Sequence, residues 1–159
     1  MSNYIQKIRQ KIGHEKFIHP AARILVENDK GEFLFIERAD NEALGIPAGA
    51  LEEKETIEEC IVREVKEETG LELLAVELIG ISSSPEKETV KYPNGDKIQY
   101  FTIEFYSNEF KGTIKVTDVA EVKTAAFKNK SYLKKLPSNE SGIVESLSYF
   151  REMNKVKLS

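Results

Sequence analysis

The stretch Gly49-Ala-Leu-Glu52-Glu53-Lys54-Glu55-Thr56-Ile57-Glu-Glu59-Cys60-Ile61-Val-Arg63-Glu64-Val65-Lys66-Glu67-Glu68-Thr-Gly70-Leu71 decides how the rest of the chain reads. Thr56 is a helix N-cap, and Glu59 three residues later completes a capping box. Gly70 ends the helix in the left-handed conformation. With Glu64 set at zero on a wheel of 100° per residue, Glu68 falls at about +40° and Glu67 at about −60°. Ile57, Ile61 and Val65 fall at about +20°, +60° and +100°, so the acids share the shoulder of the buried stripe. Glu64 and Glu68 form an i,i+4 like-charge pair, and burial at a core edge worsens the repulsion. Arg63 can pair with Glu59 and Glu67, but no base stands four residues from Glu64 or Glu68. A divalent cation would supply the missing charge. Hard carboxylate oxygens without nearby cysteine or histidine ligands favour Mg²⁺, with Mn²⁺ as the second candidate. A solvated acidic helix face fits the same wheel.

Working outward, Ala21–Glu27 and Glu32–Arg38 read as strands, and Asn28-Asp29-Lys30-Gly31 between them predicts a hairpin turn. Residues 41–54 form a loop containing Gly45, Pro47 and Gly49. Beyond the acidic helix, Leu73–Ser83 is extended, and Tyr92-Pro-Asn-Gly-Asp96 is a turn. Lys97–Ser107 is a strand, and Ala125–Lys128 a short one. Tyr4–Lys11 suits a short amphipathic helix. Residues 138–154 close the chain, with Ile143, Val144, Leu147 and Phe150 at helical spacing from Ser141 to Asn154. Strands and helices in this order imply an α/β (α+β) fold, a mixed sheet with helices on its faces.

The 159 residues fit one domain, with residues 1–18 as an N-terminal extension. The net charge is −4, yet residues 52–68 carry eight acids against three bases, a local −5, which leaves +1 elsewhere. A compact acidic segment on a near-neutral body argues for a cation site and against a nucleic-acid polymer as partner. No apolar run is long enough for a membrane span, and the N-terminus is too polar for a signal peptide. The single cysteine, Cys60, excludes an internal disulfide and a cysteine-built zinc site. The expected setting is cytoplasmic. His14 and His19 read as surface residues and Cys60 as a small packing residue.

The segment from Gly49 to Leu71 resembles the Nudix box: Gly, five residues, Glu, seven residues, Arg-Glu-apolar-any-Glu-Glu-any-Gly-apolar. All nine specified positions match, an agreement expected by chance at roughly one start position in 10⁸. Leu44-Gly-Ile-Pro-Ala-Gly49 is similar to the family's aromatic-x-x-Pro-Gly-Gly lead-in. Glu32–Arg38 resembles its strand ending in Arg, and Tyr92–Asp96 with a later acidic loop ending in Glu121 resembles a bacterial subgroup. Leu44, Ala48 and Lys54 depart from the usual aromatic, Gly and Gly, but every box acid is present.

The resemblance implies the family's α/β/α sandwich and hydrolysis of a diphosphate in a nucleoside diphosphate linked to another group. ADP-ribose, nucleotide sugars, CDP-alcohols, dinucleotides and oxidised nucleoside triphosphates are the candidate substrates, with the subgroup resemblance favouring a nucleoside diphosphate linked to a sugar or alcohol. It implies that Glu64, Glu67 and Glu68 hold the metal with the Gly49 carbonyl, and that Glu67 or Glu121 takes the proton from water. Glu55 and Arg63 are implied to be a salt bridge holding the loop. Arg38 is expected to contact phosphate. Arg23 is either a substrate contact or a core-edge residue, and Asp96 a substrate or a turn residue. Tyr92, Tyr100 and Phe127 are candidate stacking residues. A homodimer is possible by analogy. The rival reading is a non-catalytic nucleotide-binding regulatory module, which the intact box disfavours.

Overall fold

A computed structural model describes residues 2–159. In chain order, α1 spans Asn3–Ile12, β1 Phe17–Val26, β2 Phe33–Arg38, β3 Leu44–Gly45, β4 Ala48–Ala50 and α2 Ile57–Thr69. There follow β5 Glu72–Leu73, β6 Glu77–Ser82, a single turn α3 Pro85–Glu88, β7 Thr89–Lys91, β8 Lys97–Ser107 and β9 Phe110–Lys111. β10 Val122–Lys128, α4 Gly142–Met153 and β11 Lys157–Leu158 complete the chain.

The main sheet is mixed, in the order β11-β6-β8-β1-β4, with β7 also on β8. Its spine is β1 parallel to β8, paired from Phe17–Ile98 to Val26–Ser107. Every residue from Ala21 to Val26 is buried because both faces are covered. Ala22, Ile24 and Val26 pack with Cys60, Ile61 and Val65 of α2, while Leu25 packs with Ile143 and Leu147 of α4. The strand's period of two therefore serves two cores, one per face. Each fully buried aliphatic side chain in them contributes about 1.5–3 kcal/mol. A second, antiparallel sheet, β10-β2-β3, adds Leu34 to the first core and Phe33 and Phe35 to the second.

The turn at Asn28 forms as predicted: the Asn28 side-chain oxygen accepts from Lys30 N and Glu32 N, and Gly31 takes φ 73°. The hairpin does not continue as a ladder. A single Glu27–Phe33 bridge joins β1 and β2, whose other edges go to different sheets. β1 is flanked by β8 and β4, so no edge is left for β2. The extended segment 73–83 is likewise broken, into β5 and β6.

His19 corrects the surface expectation, and His14 keeps to it. His19 is 3% exposed, with Nε2 3.0 Å from the Leu51 carbonyl and its ring between Tyr4 and Phe17. Its position on β1 under α1 buries it. His14 has an exposed side chain, but its Nδ1 lies 2.6 Å from Asp96. Asp96 itself is buried and also meets Arg9 at 3.3 Å, so it ties the turn to the end of α1. Those contacts give Asp96 a structural part in the turn.

Candidate active site

α2 is built as its sequence dictates. Thr56 Oγ1 accepts from Glu59 N at 3.2 Å and Glu59 Oε2 accepts from Thr56 N at 2.7 Å, while Gly70 closes the helix at φ 81°. A Cβ on Gly70 would lie 2.7 Å from both the backbone N and O of Lys115. That close approach lets the segment after β9 cap the helix: Lys115 N donates to the Thr69 carbonyl, and Thr117 N and Asp118 N to the Glu67 carbonyl. Orphan carbonyls of the last turn are thereby satisfied. The same segment leads into Glu121, whose carbonyl accepts from Ala39 N at 2.9 Å.

The shoulder of α2 faces β4. Glu64 and Glu68 are 8% and 3% exposed, whereas the Glu67 side chain is 45% exposed. A Cβ on Gly49 would stand 2.0 Å from the carboxyl carbon of Glu64, so only glycine lets that carboxylate lie against the loop. One residue earlier, Ala48 N donates to Glu68 Oε2 at 3.2 Å. The wheel's prediction that both acids sit beside the core holds.

Arg63 corrects the idea that Glu64 lacks a countercharge. Its Nε and Nη2 grip Glu55 at 2.9 and 2.8 Å, and Nη1 reaches Glu64 at 2.7 Å and Glu67 at 3.4 Å. Neighbours at i,i+1 do not ordinarily face each other on a helix. Here Glu55 and the Ala50 carbonyl, 3.3 Å from Nη2, draw the guanidinium across the helix onto Glu64. Glu59 is spent on the cap instead.

Even so, burial dominates the electrostatics. Desolvation pushes the Glu64 carboxyl up to about 7; Arg63 opposes this, and Glu67 and Glu121 add to it. Burial and the charge of Glu64 hold Glu68 well above the usual carboxylate range, against the Ala48 N–H and Arg38. Glu121 adds to the rise of both acids. The nearby Cys60 thiol is buried in the α2-side core and is pushed up to about 12, chiefly by burial.

Arg38, at the end of β2, is ion-paired to Glu140. Glu140 is 3% exposed and its other oxygen accepts from Ile46 N at 2.9 Å. The Arg38 side chain keeps 38% of its surface, at the mouth of the same loop. Arg23 lies in a buried ion-pair network. It is 5% exposed and donates to Glu88 at 2.8 Å, to Glu104 at 3.1 Å and to the Asn139 carbonyl. Glu88, Glu104 and Glu140 are absent from the sequence reading. Glu104 in the apolar run of β8 was the available signal, but only the parallel β1–β8 register sets it opposite Arg23. Tyr92 and Tyr100 join hydroxyl to hydroxyl at 2.7 Å. Phe127 stacks on Phe110 with centroids 5.3 Å apart, as part of the α2-side core.

Among the described residues, no three Cys, His, Asp or Glu side chains converge as a ready-made metal cluster. One Glu64 oxygen is engaged by Arg63 and one Glu68 oxygen by Ala48 N. The donor set nevertheless fits a hard divalent cation. It offers two buried carboxylates of raised proton affinity, a half-exposed third, and a backbone carbonyl at Gly49.

Residues 17–147 match the NUDIX domain family. The chain belongs to that family. It is 34% identical to the ADP-ribose pyrophosphatase of Methanocaldococcus jannaschii, over 95% of this chain and 87% of the relative. It is 29% identical to the RNA pyrophosphohydrolase of Pseudomonas paraeruginosa, over 64% and 70%. Two solved structures share the fold. The MutT protein of Methanosarcina mazei has a TM-score of 0.65 at 22% identity, covering 89% of this chain and 99% of that one. The MutT Nudix hydrolase of Burkholderia pseudomallei has a TM-score of 0.62 at 19%, covering 83% and 97%. This Nudix chain is a hydrolase of the phosphoanhydride bond in nucleoside diphosphate derivatives. Nudix hydrolases generally use divalent metal ions and small nucleotide substrates. Among the described residues no helix is long and apolar enough to cross a membrane.

Proposed function

We propose that this enzyme cleaves the diphosphate of a nucleoside diphosphate joined to a sugar or alcohol, with ADP-ribose the first candidate. Glu64, Glu67 and Glu68 would hold Mg²⁺ or Mn²⁺ with the Gly49 carbonyl. One observation carries this reading. Glu64 and Glu68 are buried side by side with raised proton affinities, a repulsive pair that a cation turns into a binding site. The ADP-ribose preference rests on the likeness to the M. jannaschii enzyme.

Bound there, the metal would neutralise the diphosphate and lower the pKa of a water. The chain supplies the rest. Glu64 and Glu68 lose their protons to become ligands. Arg63, gripping Glu55, limits how far Glu64 can turn. Arg38, fixed through Glu140 and half exposed, meets a phosphate oxygen. Glu67 or Glu121 takes the proton from the attacking water: Glu67 from the exposed edge of α2, Glu121 from the segment capping its C-terminus.

The test is a panel of ADP-ribose, nucleotide sugars, CDP-alcohols, dinucleotides, oxidised nucleoside triphosphates and 5′-triphosphate RNA with Mg²⁺ or Mn²⁺. The expected result is a nucleoside monophosphate, with oxygen-18 from water in a phosphate product. Glu68→Gln should lose at least about 10³-fold in kcat. Absence of turnover above buffer on every substrate would sink the proposal.

A further inference from the structure

We infer that α1 is a strap that positions the metal-binding loop, with Glu52 as the coupling residue. The inference rests on the metal-site reading above. Glu52 is not a box residue by type, and it does not face the site. Its side chain turns outward and caps α1: Oε1 accepts from Asn3 N at 2.8 Å and Oε2 from Tyr4 N at 3.1 Å. A carboxylate on the first-turn N–H groups of a helix satisfies two orphan donors and meets the positive end of the helix dipole. Beside it, Lys7 Nζ pairs with Glu53 at 2.8 Å.

The backbone of the same residue faces the other way. Glu52 N donates to Glu55 Oε1 at 2.8 Å, the oxygen that also receives Arg63 Nη2. From there the chain of contacts is unbroken: Glu55 holds Arg63, and Arg63 Nη1 holds Glu64 Oε1. The link thus runs from the α1 N-terminus through Glu52, Glu55 and Arg63 to a carboxylate packed on Gly49.

A strap works only if its far end is fixed. Arg9 Nη2 donates to the Lys97 carbonyl at 3.0 Å, and Arg9 and His14 both meet buried Asp96, at 3.3 and 2.6 Å. Ile5 is 2% exposed, and Tyr4 lies against His19, which itself touches the Leu51 carbonyl at 3.0 Å. α1 is therefore anchored to β8 at one end and to the loop at the other. Freed from Glu52, the loop 51–55 would hold Glu55 less firmly, and Arg63 with it. Glu52 is a positioning residue: it touches neither metal nor substrate.

The experiment measures Mn²⁺ affinity by electron paramagnetic resonance of free Mn²⁺ on the full chain. It compares wild type, Glu52→Ala, Glu52→Gln, Glu58→Ala as a charge control, and Glu68→Gln. Melting temperature, kcat and KM are recorded alongside. Losing one cap's worth of anchoring should weaken Mn²⁺ binding roughly five-fold in Glu52→Ala. Glu52→Gln, which keeps one carbonyl acceptor, should fall between it and wild type. At limiting metal kcat should drop while KM stays, and excess Mn²⁺ should restore the rate. Glu58→Ala should stay within about two-fold of wild type, as expected of an exposed charge screened by solvent. A lowered melting temperature with unchanged Mn²⁺ affinity would reduce Glu52 to a helix cap and overturn the inference, as would equal losses in Glu52→Ala and Glu58→Ala. If Glu68→Gln binds Mn²⁺ like wild type, the metal-site reading has failed instead.

Discussion

Stability of the metal-free protein should fall as pH rises from about 4.5 to 7, the reverse of ordinary acid denaturation. The cause is Glu64. Its carboxyl goes from the usual 4.5 to about 7 on folding, so between those values the folded state binds more protons than the unfolded one. A raised carboxylate stabilises the fold below the unfolded pKa, and that stabilisation is lost as pH climbs through the folded pKa. For Glu64 alone the loss amounts to roughly 3 kcal/mol. Glu68 shifts in the same direction and adds to it. His19, whose proton affinity burial lowers, acts oppositely by disfavouring the fold at acid pH. The lowered carboxylates Glu55 and Asp96 titrate below this window. For a chain of this size roughly 3 kcal/mol corresponds to a fall in Tm of about 6–12 °C. The assay is thermal unfolding in chelator across pH 5–8, repeated with saturating Mg²⁺ and with Glu64→Gln. Mg²⁺ should flatten the profile by holding both acids ionised. Without metal, Glu64→Gln should remove the share of Glu64 and leave the part that the burial of Glu68 contributes. A metal-free Tm that stays level or rises from pH 5 to 8 would refute the burial argument.

Two substitutions test the frame around the acids. Gly49→Ala places a methyl carbon 2.0 Å from the Glu64 carboxyl carbon, so Glu64 must move; Mn²⁺ affinity and kcat should both fall by at least about 100-fold, and crystallography should show the carboxylate displaced. Arg63→Ala strands Glu55 beside Glu64 and should destabilise the fold by about 1–3 kcal/mol, read by urea unfolding; a change within error would mean the clamp is idle.

The sequence by itself determined the acidic helix α2. Thr56, Glu59 and Gly70 act within a few residues of one another, so local chemistry fixes the bounds of α2 and the wheel fixes which acids meet the core. It also determined the Glu55–Arg63 bridge and the family, because the box is a contiguous pattern. What it could not hold was anything set by register between distant strands. Arg63 turning onto its neighbour Glu64 depends on where the loop carries Glu55 and the Ala50 carbonyl. The burial of Arg23 against Glu88 and Glu104 depends on β1 lying parallel to β8, and the grip on Arg38 depends on Glu140, 102 residues away. The missing hairpin has the same origin, since β1 spends both edges on partners that a local turn signal cannot foresee. Capping and periodicity are short-range and legible along the chain. The partners of buried charges are chosen by packing, which exists only once the sheet has closed.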